Sequence, residues 1–390
     1  MNEYLFIIPL FVAVAIGWLL GRRQNNEHSL QDTLQQEYFI GLDFLLSEKT
    51  DEAIDSFIRA LEISSDTIPA HIALAKLFRK KGDVERALQI HQSLLARSDL
   101  CHADFMRVQM ALARDYYALG LLDRAENLLL EIRSQRSNPE IRQKAAALLI
   151  KLYAKEQEWQ QALDVAKQLS TAELQGLEVE LSHYCCELAE RLIGQQRYRH
   201  ATEKLQSALA FDQAAVRASF LLADIAMQQQ QWKKAIHALK QVALQDSAFL
   251  SETIARLQAC YAALNQLLEF ERLMKLWLNK YPSTSIMLAL ADRVLEQQGA
   301  YPAGAFITDQ LKQRPSLKGF NQLIDLYIEH ASKGANESLM VLRGLTGQLE
   351  QSKPIYHCQR CGFSGKSLHW QCPSCQNWGT TKPIHGLEGE

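Results

Sequence analysis

The chain is poor in the two residues that interrupt helices, with 9 prolines and 18 glycines among 390 residues, while leucine, alanine and glutamine abound. That bias favours helix. An excess of one charge is also missing. The 42 basic and 44 acidic residues leave a net charge of −2, which removes any bulk electrostatic case for nucleic acid as a partner. No glycine-rich phosphate loop, nucleophile elbow, Rossmann fingerprint or H-E-x-x-H pair occurs, so the usual sequence signs of catalysis are absent. Four of the 8 cysteines (Cys101, Cys185, Cys186, Cys260) are scattered without ligand spacing. They speak for a reducing compartment rather than a disulfide framework.

The other four are arranged as two matched pairs, Cys358-Gln-Arg-Cys361 and Cys372-Pro-Ser-Cys375, ten residues apart. Each C-x-x-C unit forms a knuckle that aims both sulfurs at one ion. The stretch between folds back to set the second knuckle opposite the first, giving a tetrahedral tetrathiolate site for iron or zinc. Gly362 after the first pair supplies backbone freedom, and Pro373 inside the second fixes φ. His357, His369 and His385 lie nearby, but four thiolates already close a site.

Tyr4 to Leu20 is an uncharged, apolar run followed by Arg22-Arg23. Its length suits a short membrane-crossing helix. A cleaved signal peptide needs a basic flank ahead of the run, and here the flank is Asn2-Glu3. Basic residues after the run place the rest of the chain in the cytoplasm and the N-terminus outside. The expected layout is an anchor over residues 1–21, a polar linker over 22–33, a helical array over 34–350 and a metal-binding domain over 354–390. Ala13, Gly17 and Gly21 fall on one face of the anchor. A stripe of small residues lets another helix approach closely, although Gly and Ala are also simply common in membrane helices.

Between these ends a helical hairpin recurs. Its marker is a residue near the start of the second helix, at Ala53, Ala87, Ala125, Ala162, Ala201, Ala235, Phe270 and Ala303, with intervals of 34, 38, 37, 39, 34, 35 and 33 residues. Small residues stand twelve before the marker at Gly41, Ala75, Ala113, Ala189, Ala223 and Ala291, and aromatics nine before it at Phe44, Phe78, Tyr116, Tyr153 and Tyr261. Gly82 and Gly120 mark turns between helices A and B, and Pro282 and Pro315 close units. A period near 34 with these positions is the tetratricopeptide signature. Eight units are clear, and Leu317 to Leu349 reads as a degenerate ninth with Gly334 at its turn. The fold class expected is all-α: a tetratricopeptide superhelix with an N-terminal transmembrane helix and a small metal domain.

Such arrays bind protein segments on the wall built by their A helices. Counting from each marker, the second unit offers Lys76, Arg79 and Lys80, the third Arg107 and Arg114, and the fourth Lys144, Lys151 and Lys155. Lys76, Arg114 and Lys151 share one offset and form a basic ladder, either a groove for an acidic partner segment or a solvated face. The first unit instead offers Tyr38, Leu42, Leu45 and Leu46, suited to packing on a neighbouring chain as in a homodimer. His183-Tyr184-Cys185-Cys186 has metal-binding residue types, but successive helical side chains point about 100° apart and cannot converge on one ion. Buried packing is the better reading. For the metal domain, three readings compete. One is a rubredoxin-like electron carrier. Another is a ribbon that binds nucleic acid through Tyr356, Arg360, Lys366, Trp370, Trp378 and Lys382. The third is a structural unit folded by its ion and held against the repeats.

The order of parts, together with Glu337-Ser338-Leu339-Met340-Val341-Leu342-Arg343, Tyr356-His357-Cys358-Gln359-Arg360-Cys361-Gly362-Phe363, Trp370-Gln371-Cys372-Pro373-Ser374-Cys375 and Lys382-Pro383-Ile384-His385-Gly386-Leu387, resembles the lipopolysaccharide assembly protein B family of Gram-negative bacteria. The resemblance spans essentially the whole chain, and its tail motifs are far more specific than the repeats. It implies a non-enzymatic, single-pass inner-membrane protein with cytoplasmic repeats and a rubredoxin-like metal domain. Its implied role is to restrain lipopolysaccharide synthesis by promoting proteolysis of the deacetylase LpxC by the membrane protease FtsH. Implied partners include an inner-membrane antagonist and other proteins of lipopolysaccharide synthesis. Cys358, Cys361, Cys372 and Cys375 match the family's metal ligands.

Overall fold

The structure is a computed structural model that describes residues 36, 39–44, 46–47, 49–63, 68–98, 100–135, 138–330, 333–387 and 389. The anchor expected over 1–21, with Ala13, Gly17 and Gly21, and the linker over 22–33 lie outside the described residues, as do Tyr38 and Leu45. Among the described residues no helix is long and apolar enough to cross a membrane.

Among the described residues seventeen α-helices follow one another between Thr50 and Ser352: α1 Thr50–Ile63, α2 Ile68–Lys81, α3 Val84–Leu95, α4 His102–Leu119, α5 Leu122–Ser134, α6 Pro139–Lys155, α7 Trp159–Ala166, α8 Glu178–Gly194, α9 Tyr198–Phe211, α10 Val216–Gln228, α11 Trp232–Gln245, α12 Leu250–Ala263, α13 Leu267–Lys280, α14 Thr284–Gln298, α15 Ala300–Gln313, α16 Leu317–His330 and α17 Lys333–Ser352. Residues 39–44 are largely helical and precede α1. The chain divides into two compact units, Met1–Glu158 and Trp159–Glu390. The helix pairs follow the repeat period. Gly334, expected at the ninth turn, instead falls in the first turn of α17, because glycine costs only about 1 kcal/mol in a helix that tertiary packing supports.

The small residues sit where helices touch. Of those expected at the hairpin contact, Ala75, Ala113, Ala189 and Ala223 are 0% exposed and Ala291 is 2% exposed, and the markers from Ala53 to Ala303, Phe270 among them, are buried too. A Cβ on Gly41 would stand 3.1 Å from the Phe57 ring, so even alanine would press on the helix pair there. Between helices A and B the chain repeatedly turns through one left-handed residue, at Gly82, Gly120, Gln157, Gln196, Gln230 and Asn265. In each case this residue's amide bonds the carbonyl three back and the next amide the carbonyl five back, as in Gln230 to Met227 (3.0 Å) and Gln231 to Ala226 (2.7 Å). That pattern is a Schellman C-cap.

In the first unit, Asp115 on α4 is fully buried and accepts a hydrogen bond from Arg79 Nη1 on α2 (2.5 Å), while its other oxygen meets His91 Nδ1 on α3. Three helices of adjacent hairpins are thereby joined through one carboxylate. In the second unit the core runs from Val216 and Phe220 through Leu239, Phe249, Leu257, Phe270 and Trp277 to Leu290, and Leu368 and Trp370 of the tail pack against it.

The tail departs from all-α. β1 Tyr356–Cys358, β2 Ser364–Gly365 and β3 Thr381–Pro383 form an antiparallel sheet in the order β2-β1-β3. Tyr356 pairs with Gly365 on one side and Pro383 on the other.

Candidate metal centre and its docking face

Both knuckles are built alike. The Cys358 amide donates to Phe363 O (2.7 Å) and the Cys372 amide to Asn377 O (2.9 Å). The residue after each second cysteine is left-handed, Gly362 at φ 77 and Gln376 at φ 55. The freedom expected of Gly362 is used as predicted, and its counterpart Gln376 adopts the same conformation with a side chain. The four sulfurs lie within 4.8 Å of one another. Cys358 and Cys375 Sγ are 3.8 Å apart, and Cys361 and Cys372 Sγ are 3.6 Å apart. Sulfurs at the corners of a tetrahedron with metal–sulfur bonds of about 2.3 Å stand roughly 3.8 Å apart, so the donor set fits one ion. Iron and zinc both accept it.

The electrostatics point the same way. The Thr380 hydroxyl, 3.3 Å from Cys358 Sγ, leads the interactions that hold this thiol down to about 6. Asn377, through its side chain and its backbone amide, lowers Cys375. Cys372 is pushed up to about 11: the Cys375 amide favours its thiolate, but burial and the neighbouring sulfurs outweigh it. Four thiolates this close cannot all carry charge without a cation among them. His357, His369 and His385 add no ligand, and His369 Nε2 lies 2.9 Å from Ser367 Oγ.

The aromatic residues beside the cysteines are committed to the repeats. Trp378 stacks on His183 of α8 with centroids 5.0 Å apart, and its edge meets Trp159 and Tyr184, each at 6.0 Å. Trp370 stacks on Phe249 at 5.6 Å and lies under the Arg217 guanidinium at 6.0 Å. Aromatic pairs of this kind contribute about 0.5–1.5 kcal/mol each beyond area burial. The Tyr356 hydroxyl donates to Glu252 Oε1 (2.5 Å), Lys382 Nζ pairs with Asp246 (2.7 Å), and the Leu317 amide donates to Leu387 O (3.0 Å). Gly379, at φ 65, passes so close that a Cβ would stand 3.3 Å from His183 Nε2.

The covered surface is costly in polar terms. Arg217 is 4% exposed and bonds Glu187 and Glu190, each at 2.9 Å. Burial works against its charge, but the two carboxylates outweigh it and hold its pKa above the ordinary value. Its Nη1 and His183 Nδ1 are buried without a hydrogen-bond partner, each an expense of about 1–3 kcal/mol. Burial, with Arg217 nearby, drives His183 down to about 3. Cys185 and Cys186 are raised by burial to about 11 and 12, so they are inert packing thiols.

The nucleic-acid residues named from sequence are thus largely spent. Tyr356, Trp370, Trp378 and Lys382 face the repeats, and Arg360 bonds Asn377. The docking residues Trp159, His183, Arg217, Phe220 and Phe249 were not legible as a platform. The available signal was indirect: two tryptophans beside the second knuckle are more than so small a domain can bury in itself.

Of the basic ladder, Lys76, Arg114 and Lys151 are all exposed. Arg79 differs, since it is bound to Asp115. Although Arg114 reaches solvent, partial desolvation by its neighbours and then Arg79 lower its pKa against the opposing pull of Asp115. Arg107 pairs with Asp104 (3.1 Å), Lys144 pairs with Glu140 (2.5 Å), and Lys155 lies 5.1 Å over the Tyr117 ring.

A family model described as a rubredoxin metal binding domain matches residues 356–383, and one described as a tetratricopeptide repeat matches residues 70–101. Lipopolysaccharide assembly protein B of Escherichia coli (strain K12) is 36% identical over 392 residues, covering 100% of both chains. The protein of the same name from Haemophilus influenzae is 34% identical over 403 residues, again covering 100% of both. Among solved structures, Pseudomonas aeruginosa pilF covers 69% of this chain and 99% of its own at 16% identity and a TM-score of 0.29, a likeness too slight to carry weight. Related end to end at that identity, the chain belongs to the lipopolysaccharide assembly protein B family.

Proposed function

We propose that this protein is a non-enzymatic adaptor of the bacterial inner membrane that restrains lipopolysaccharide synthesis by presenting the deacetylase LpxC to the protease FtsH. The observation that carries the reading is the end-to-end relation to proteins named for lipopolysaccharide assembly, over a chain built of tetratricopeptide hairpins. The chemistry of the tail supports it. Four cysteines close the metal site on themselves, and the aromatic residues beside them pack on the repeats, which is the arrangement of a structural ion.

The apolar run Tyr4–Leu20 serves as the anchor, with Ala13, Gly17 and Gly21 facing a membrane partner and the repeats in the cytoplasm. Lys76, Arg114 and Lys151 receive an acidic partner segment, with Arg79 orienting that face through Asp115. Depleting the protein should lengthen the half-life of LpxC; an unchanged half-life would defeat the adaptor reading. Reversing the charge of Lys76, Arg114 and Lys151 together should weaken co-isolation of a partner, and undiminished capture would remove the ladder from the account.

A further inference from the structure

The residues that cover the repeats lie in the same short stretch that carries the four cysteines. Trp370 stands two residues before Cys372, Trp378 three after Cys375, and Tyr356 two before Cys358. Each reaches a helix A or the turn before one: Trp378 to His183, Trp370 to Phe249 and Phe220, Tyr356 to Glu252. Beneath them, His183 Nδ1 and Arg217 Nη1 are buried without partners. Water would satisfy both atoms if the cover left. The covered state therefore depends on aromatic rings held in place, and the stretch that holds them matches a metal-binding domain over residues 356–383, a length at which domains generally need their ion to fold.

We propose that metal binding and docking are one coupled equilibrium. The ion latches residues 356–383 onto the A helices of the fifth to seventh hairpins, and its loss uncovers a groove of His183, Tyr184, Arg217, Phe220 and Phe249. Linkage makes the effect reciprocal: side chains on the repeats that never touch the ion raise its affinity. Phe220 and Phe249, the rings packed on Trp370, are positioning residues for the metal centre. The inference stands whether or not the adaptor reading holds.

The test uses the full chain loaded with its ion. A chromogenic chelator reports metal retention, and limited proteolysis reports access to residues 353–390. Phe220→Ala and Phe249→Ala take away the rings packed on Trp370, and each should weaken retention roughly three- to tenfold, the factor one aromatic pair supplies. Chelation should make the tail cleavable while far-UV helicity persists. In case either variant loses helicity, the rim pair gives a second measure: Lys382→Glu should weaken retention, and adding Asp246→Lys should restore it. Retention unchanged across the helical variants, or a tail that stays protected after the metal is removed, would overturn the latch.

Discussion

Gln157, Gln196, Gln230 and Asn265 hold the left-handed turn position that Gly82 and Gly120 hold in earlier repeats. A Cβ disfavours that conformation by about 1–2 kcal/mol, whereas glycine offers it freely at some entropic cost in the unfolded chain. Gln230→Gly should therefore stabilise the array by about 1 kcal/mol, seen as a higher urea midpoint. The glycine turns were legible from sequence, but the glutamine turns were not, since glutamine carries no turn signal and only the neighbouring helices impose the angle.

His183 gives a second residue-scale prediction. Its folded pKa is about 3, against about 6.5 unfolded. The unfolded state thus takes up a proton first as pH falls. Stability from this group is complete above pH ~6.5 and is lost progressively toward pH ~3. Arg217 is near enough to oppose its charge, and the rings of Trp370 and Trp378 face it. Acid should loosen the tail in that window, and His183→Gln should flatten the dependence, followed by tryptophan fluorescence against pH.

Helices α2, α3 and α4 meet at Asp115, which joins Arg79 and His91. The sequence offered Arg79 as a wall cation because its offset places it on the A-helix face. Nothing in the pattern showed that a carboxylate from the next repeat would claim it, since that pairing depends on the angle between hairpins. Asp115→Ala removes the anion and leaves Arg79, 18% exposed at its side chain, beside Arg114. Breaking a buried pair from one side costs about 3–5 kcal/mol. The first unit should unfold at lower denaturant than the second, resolved by hydrogen exchange of α2 to α4. The small residues expected at the hairpin contact behave differently: Ala75, Ala113, Ala189, Ala223 and Ala291 are all buried, because helix contact demands a small residue whatever the neighbours are.

Across the whole molecule, the metal ligands and the repeats were legible, and the union of tail and repeats in the second unit was legible only as a tendency. Cys358→Ser or Cys375→Ser should lose the ion and unfold the tail while the helices persist, checked by metal analysis beside circular dichroism. Regulation that survives such a change would make the tail dispensable. The sequence by itself determined the period, the small contact residues, the four sulfur ligands and the family. Each of these is written in local spacing, where one residue type at one offset satisfies a steric or coordination need. Only the tertiary structure decided that Trp370 and Trp378 lie on His183, Arg217 and Phe249, that Arg79 belongs to Asp115, and that three short strands frame the knuckles. Those contacts join residues far apart in the chain. Their partners are set by how the hairpins stack and where the folded tail comes to rest, which no local spacing encodes.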